Sequence, residues 1–178
     1  MINSFRLALL AWLLVIAGQT FAGGRIPIGL KVGSYFPSSG EVRDLFGDVW
    51  PIVSISPMRI GKPERWSFAA DITVYDQRRH GNRALLVPIT VGIAREFGIS
   101  DDTKPYAALR VGPYYGSVDA KPTAHGSRWG WNANATVGIT FNERFYVEMR
   151  YDWFDKIEGL DFSGLQLLAG FKLFELRL

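Results

Sequence analysis

Charged and amide side chains recur at alternate positions within segments of this chain that are otherwise apolar or small. The basic members are as numerous as the acidic ones, so each charge could meet one of opposite sign. A polar group removed from water must be hydrogen-bonded or paired, because burying it alone is costly. Such a set could form a rigid hydrogen-bonded plug, or it could carry protons or ions. The residues are Lys31, Asp71, Glu96, Arg110, Asn132, Asn134, Glu148, Arg150, Asp152 and Lys172.

The sequence gives little indication of metal binding or of nucleic-acid binding. Its only histidines, His80 and His125, lie in separate polar stretches, and it has no cysteine. The sequence therefore indicates no metal site and no cofactor. The net charge of +3 is too small to suggest nucleic-acid binding.

The segment from Trp131 to Trp153 shows which elements hold these polar side chains. Apolar residues alternate with small or polar ones on both sides of a polar turn at residues 142–144. A period of two sustained over about ten residues on each side predicts an antiparallel hairpin. Each strand has an aromatic residue near both ends of its apolar face, as strands that cross a membrane do.

The same alternation extends over most of the chain and predicts an all-β fold, an eight-stranded antiparallel transmembrane up-and-down β-barrel. Strands of about 11 residues, tilted near 40°, cover slightly less than the roughly 30 Å of a bilayer core. The phase of the last strand shifts after Leu173, which predicts a bulge there. The predicted strands are 26–36, 50–58, 66–77, 84–97, 106–117, 131–141, 145–153 and 162–178.

A short helix is predicted in the first outer loop. Ser38 and Glu41 have the spacing of a capping box, and Gly47 suits a helix end. Residues 78–82 and 119–127 are predicted to be further outer loops.

The polar face of the strands indicates where lipid lies. It consists of Gly, Ser, Thr and Asn with balanced charges, which suits a narrow eight-stranded interior better than a water-exposed surface. The apolar face carries large aromatic residues and would promote aggregation in water. We therefore predict lipid outside and a polar, filled interior with negligible conductance.

Residues 1–22 have the features of a signal peptide: a weakly positive start, an apolar run and small residues at a cleavage site. The run is shorter than the roughly 20 residues that a spanning helix needs. We expect an exported mature chain, the barrel domain 23–178.

The combination of a signal peptide, eight amphipathic strands, aromatic residues near the strand ends and a chain that ends in a strand resembles the small bacterial outer-membrane barrels of the OmpA/OmpX/OmpW type. The resemblance covers the mature chain as a pattern. It implies a monomer in the outer membrane of Gram-negative bacteria, in contact with outer-membrane lipid, and inserted by the barrel assembly machinery. It also implies a non-enzymatic structural, adhesive or surface-interaction role. Such barrels usually end in an aromatic residue, whereas Leu178 stands here, with Leu176 and Phe174 at the alternate positions.

Cationic side chains in the predicted outer loops could bind lipopolysaccharide, because guanidinium groups pair with phosphate. The alternative is that these loops are charged only because they are solvated. The candidate contacts are Arg78, Arg79, Arg83, Lys121 and Arg128.

The stretch His125-Gly126-Ser127 resembles the His-x-Ser of the outer-membrane lipid A deacylase. In that enzyme a histidine activates a serine that attacks an acyl ester, and an acidic residue orients the histidine. Here the next acidic residue, Glu143, is predicted at the far end of the strand, and Arg128 replaces the usual Asn. We expect no catalytic residues. A lipid A-modifying hydrolase is the alternative, and a secreted lipocalin-like carrier is the third interpretation.

Overall fold

The computed structural model describes residues 25–57, 66–98, 102–120, 124–142 and 144–177. Within them, eight antiparallel strands pair in sequence order, and β1 also pairs with β8 to close a barrel. The predicted up-and-down topology is confirmed, and the predicted signal peptide lies outside the described residues. The elements are β1 Arg25–Pro37, α1 Gly40–Phe46, β2 Trp50–Pro57, β3 Ser67–Arg79, β4 Asn82–Glu96, β5 Thr103–Ala120, β6 Ala124–Phe141, β7 Phe145–Phe154 and β8 Gly164–Arg177.

Alternation along the strands separates a polar interior from an apolar exterior. Lys31 is 2% exposed, whereas the next residue, Val32, is 51% exposed. Aromatic side chains stand on the outer wall, among them Trp131 at 63% and Phe145 at 59% exposure. This arrangement is the reverse of a lipocalin-like carrier, whose apolar face surrounds the ligand. An exposed apolar wall of this extent fits contact with lipid.

The predicted first-loop helix is confirmed as α1, although a capping box does not hold it. The N-cap is Ser39, and its side chain makes no capping hydrogen bond. Side chains from β3 and β4 bind the other end of the helix instead. Gln77 Nε2 donates to the Phe46 carbonyl oxygen at 2.7 Å, and Asn82 Nδ2 donates to the Leu45 carbonyl oxygen at 3.1 Å. No helix among the described residues is long and apolar enough to span a membrane.

The mouth around α1 will be called the helix end of the barrel, and the opposite mouth the turn end. At the helix end two strand pairs extend farther than predicted. β3 and β4 meet across His80 and Gly81, which have φ angles of 50° and 82°, as in a tight two-residue hairpin turn.

The predicted loop 119–127 is also wrong in extent, because β5 and β6 pair as far as Ala120 and Ala124. These extensions lie beyond the apolar belt, where both faces of a strand tolerate polar residues, so alternation gives no signal. His125 and Ser127 are therefore strand residues.

The predicted bulge in the last strand is confirmed. Ile28 pairs with Phe174, but the next residue, Gly29, pairs with Lys172, which leaves Leu173 as the extra residue. Leu173 and Phe174 are both exposed on the wall, at 45% and 52%. The bulge thus reconciles the two phases of alternation within β8.

The interior consists of two layers. Toward the helix end, an aromatic layer is built from edge-to-face rings, with Tyr35 5.3 Å from Trp50 and 5.0 Å from Tyr75 between ring centroids. Helix α1 closes this layer with Val42 and Phe46. Its large rings are those of Tyr35, Phe46, Trp50, Tyr75, Tyr114, Phe154 and Phe162. Toward the turn end lies a layer of charged side chains.

Candidate functional site

Four buried charges from different strands meet in the charged layer. Lys31 Nζ on β1 lies 3.1 Å from Asp71 on β3 and 2.8 Å from Glu148 on β7. Arg150 on β7 forms a two-pronged contact with Asp71, in which Nη1 and Nη2 each lie 2.9 Å from a carboxylate oxygen. Arg150 Nη2 also reaches Glu148 at 3.2 Å. The group thus holds two cations and two carboxylates, and it joins three strands across the barrel.

Neutral donors complete the shell around these carboxylates. Asp71 also accepts hydrogen bonds from Ser54 at 2.9 Å and Thr73 at 2.6 Å, and the Tyr106 hydroxyl contacts Glu148. These donors meet the remaining hydrogen-bonding capacity of the two carboxylates, as a buried ion pair requires, whereas Arg150 Nε is buried without a partner among the described residues. The arrangement is that of a rigid cross-brace between strands.

Asp152 occupies a separate polar group between the two layers. It accepts hydrogen bonds from Asn132 Nδ2 at 3.1 Å and from the Tyr75 hydroxyl at 3.3 Å, and it also contacts Gln166. Asn134 lies beside this group, with its Nδ2 3.4 Å from Thr90 Oγ1. These contacts link the charged layer to the aromatic layer.

The remaining predicted interior residues lie toward the turn end. Arg110 is 7% exposed, and its Nη1 donates to Asn134 at 3.3 Å and to Thr136 at 3.0 Å. Glu96 and Lys172 are half-buried and do not join the four-charge group, although each is engaged in interactions of its own. All ten residues predicted for the interior therefore belong to inward-facing positions, but only four share one ion-paired cluster.

Sequence patterns did not single out several residues that the interior uses. Tyr75, Tyr106 and Gln166 donate to the buried carboxylates, and Tyr146 lies with its ring 5.5 Å from Lys31 Nζ. The available signal was their position, since each falls on the polar side of its strand's alternation. Tyrosine is weak evidence on its own, because its ring suits lipid, interface and interior alike.

Among the described residues, buried side chains fill the interior at the levels of the charged cluster and the aromatic layer. A small chamber of about 40 Å³ opens near the turn end, bordered by Lys31, Arg110, Tyr106, Tyr146 and Glu148. That volume holds about three water molecules, at roughly 10–15 Å³ each. Between this chamber and the helix end lie first the four-charge cluster and then the aromatic layer, and both consist of buried side chains.

The predicted lipopolysaccharide contacts fall on two different surfaces at the helix end. Arg78 and Arg83 face outward on the β3–β4 hairpin, where they lie 3.6 and 3.2 Å from Asp76. The hydrogen bond from Arg83 holds the pKa of Asp76 below its ordinary value. Arg79 and Arg128 occupy inward-facing positions of β3 and β6 and lie at the mouth of the helix end. Arg128 Nη1 donates to the Lys156 carbonyl oxygen at 3.1 Å. Lys121 lies outside the described residues.

An acidic residue does accompany the His-x-Ser stretch, contrary to the expectation from sequence. Asp119 pairs with His125 across β5 and β6, and its Oδ1 lies 2.7 Å from His125 Nδ1. Ser127 follows on the same outward face of β6. Glu143 comes after the motif in sequence, whereas Asp119, which the hairpin brings to His125, comes before it. Asp119 and His125 are about half exposed, at 57% and 52% of their side chains.

Among the described residues, no group of three or more His, Asp or Glu side chains is placed to hold a metal ion. The structure therefore offers two sets of residues for a function: the ion-paired interior, and the polar outer wall at the helix end.

No protein-family model and no curated protein matches the chain. Solved structures do resemble it. Neisserial surface protein A (NspA) is 16% identical with a TM-score of 0.63, over 84% of this chain and 98% of that one. The outer membrane enzyme PagL is 14% identical with a TM-score of 0.57, over 83% and 99%. The N-terminal β-barrel domain of Pseudomonas aeruginosa OprF is 15% identical with a TM-score of 0.53, over 84% and 99%.

At these identities the similarity shows the fold. The chain has the fold of the small eight-stranded bacterial outer-membrane barrels, and the predicted fold is confirmed. One of these structures is a surface protein and another is an enzyme, so the fold alone does not decide between activity and its absence.

Proposed function

We propose that this chain is a sealed outer-membrane barrel without enzymatic activity, which acts through its outer surface in a structural, adhesive or surface-interaction role. The supporting observation is the interior of the part that the structure describes, in which two layers of buried side chains lie beyond a small chamber near the turn end. Because buried side chains fill the described interior, we place the partner's binding site on the exposed surface at the helix end. Residues 1–22 direct export, and the barrel assembly machinery inserts the mature monomer with the helix end outward.

The partner we propose at that surface is the phosphate of lipopolysaccharide. Arg78 and Arg83 present side chains that are 67% and 48% exposed, on the outward face that meets the membrane. They share a single carboxylate, Asp76, so two positive charges face one negative charge. The excess guanidinium can therefore pair with a phosphate at the level of the outer headgroups.

Lipopolysaccharide retention on native gels tests this proposal. The double variant R78Q/R83Q should lose most of the lipopolysaccharide that the purified wild-type barrel retains. The matched control is R144Q, which removes an exposed arginine at the turn end. Equal retention by the double variant and the wild type would refute the role of these arginines.

A lipid A-modifying hydrolase is the second candidate, and the Asp119–His125 contact favours it. An aspartate at Nδ1 orients a histidine and leaves its Nε2 free, which is the arrangement that activates a serine for attack on an ester. Ser127 is the available nucleophile on the same face. In such a reaction the hydroxyl would give its proton to His125, form an acyl-enzyme and release the alcohol, and water would then release the acid.

Mass spectrometry of lipid A from cells that express the chain separates the two candidates. The non-enzymatic role predicts the same lipid A mass with the wild type, S127A and an empty vector. Loss of an acyl chain with the wild type, but not with S127A, would establish the hydrolase instead.

A further inference from the structure

A furrow crosses the lipid-facing wall of the barrel from the turn end toward the helix end. It has a volume of about 430 Å³ and an almost wholly apolar lining. The exterior residues that form it come from β5 to β8, together with Trp66, which precedes β3. They are Trp66, Ala107, Leu109, Ala135, Val137, Met149, Tyr151 and Leu165.

Small side chains at two exterior positions create the furrow. Ala107 pairs with Val137, and Ala135 pairs with Leu109, so each alanine lies beside a larger residue on the next strand. Leu109 and Val137 are 58% and 52% exposed and stand above the alanines as walls. The depression is therefore a property of the sequence at residues 107 and 135.

The strand register gives the direction of the furrow. One cross-strand row passes from Arg95 through Ala107, Val137 and Met149 to Leu167. Arg95 lies next to the last residue of β4 at the turn end, whereas Leu167 lies near the start of β8 at the helix end. The furrow therefore runs obliquely on the wall, because it moves from the turn end toward the helix end as it crosses from β5 to β8.

A cation is placed where the furrow begins. Arg95 pairs directly with Ala107, and its guanidinium carbon lies 6.0 Å from the ring centre of Trp66 and 5.7 Å from that of Phe97. A guanidinium that lies against aromatic rings at this distance keeps its N–H edge available for phosphate. Among the described residues Arg95 forms no ion pair, so its charge is open to a ligand.

We propose that this furrow binds one glycerophospholipid of the periplasmic leaflet, with its phosphate on Arg95 and an acyl chain along Ala107 and Ala135. The proposal rests on the orientation proposed above, in which the turn end faces the periplasm. Three interstrand spacings from β5 to β8 give a width of roughly 14 Å. One leaflet contributes about half of the roughly 30 Å hydrocarbon core, so an acyl chain anchored at Arg95 is long enough to follow the furrow across these strands.

Native mass spectrometry of the barrel, purified from membranes in a mild detergent, tests the proposal. The wild type should carry one bound phospholipid. R95Q removes the phosphate contact, and A107L/A135L fills the furrow without touching the interior. R95Q should reduce the bound fraction roughly tenfold, because a charge-assisted hydrogen bond contributes about that factor. A107L/A135L should reduce it to a similar extent, because the added side chains occupy the space of the acyl chain.

Two controls keep a loss of binding from being mistaken for misfolding or for a general effect of charge. R144Q removes another exposed arginine at the turn end, and A169L enlarges an exposed alanine of β8 that lies outside the furrow. Both should retain the lipid, and heat-modifiable gel mobility confirms that each variant is folded.

Two results would overturn the proposal. The first is equal phospholipid retention by the wild type, R95Q and A107L/A135L, and it would leave the role of the outer arginines unaffected. The second is loss of lipopolysaccharide, in place of phospholipid, from R95Q. It would show that the turn end faces outward and would reverse the orientation on which the proposed function depends.

Discussion

Removing Arg150 should destabilise the barrel strongly, because it leaves two buried carboxylates to one remaining cation. Arg150 makes both contacts to Asp71 at 2.9 Å and one to Glu148 at 3.2 Å, and all three residues are at most 2% exposed. Breaking a buried ion pair from one side typically costs about 3–5 kcal/mol. We expect R150M to lose an amount in this range, since methionine fills much of the same volume without charge.

The double variant R150M/D71N makes this prediction specific to charge. It removes one cation and one anion together, and the pair of Lys31 and Glu148 remains balanced at 2.8 Å. Its loss should therefore be smaller than the sum of the two single losses by about 1–3 kcal/mol, the coupling typical of residues in one network.

Urea unfolding of the barrel refolded in lipid vesicles, followed by tryptophan fluorescence, measures these differences. R144M, which changes an exposed arginine, is the control and should stay within about 0.5 kcal/mol of the wild type. If the effects of R150M and D71N add within that margin, the four charges do not act as a cross-brace.

Three further predictions concern other parts of the barrel. A Cβ at Gly138 would lie 2.6 Å from the Tyr106 ring, so G138A should cost about 1–3 kcal/mol in the same urea unfolding, and the same substitution should cost less when it is made in a Y106L background, which lacks the ring. F46A removes a fully buried ring and should cost about 3–5 kcal/mol in that assay, yet the barrel should remain non-conducting, because the charged layer still closes it. The contact between Asp76 and Arg83 should hold at neutral pH and be lost as the pH falls through the lowered pKa of Asp76; an NMR titration should show that pKa return toward its ordinary value in R83Q.

The alternation of side chains was sufficient to predict the barrel, because a two-residue period assigns each residue to the interior or to the wall. Lys31 and Val32 illustrate this, since adjacent residues have opposite environments. Even the bulge at Leu173 could be predicted, because it leaves a visible change of phase. Alternation fails where the strands leave the apolar belt, and so the segments around His80 and His125 were predicted as loops.

Which interior residues contact one another was harder to predict than which residues face the interior. Inward-facing charges could be identified individually, but which of them meet depends on the stagger and curvature of the closed barrel. That is why Lys31, Asp71, Glu148 and Arg150 form one cluster, whereas Glu96 and Lys172 do not join it. Asp119 shows the same limit, because its contact with His125 arises from strand register and precedes the motif in sequence.

Closure of the barrel by its own side chains is the property on which the proposed function depends. Single-channel recording in planar lipid bilayers, with protein whose folding is verified by heat-modifiable mobility, tests it most directly. The folded wild-type barrel should carry no steady current at moderate voltage. Reproducible single-channel steps from that folded protein would contradict it, because they would require an ion path through the layers formed by Arg150 and Trp50.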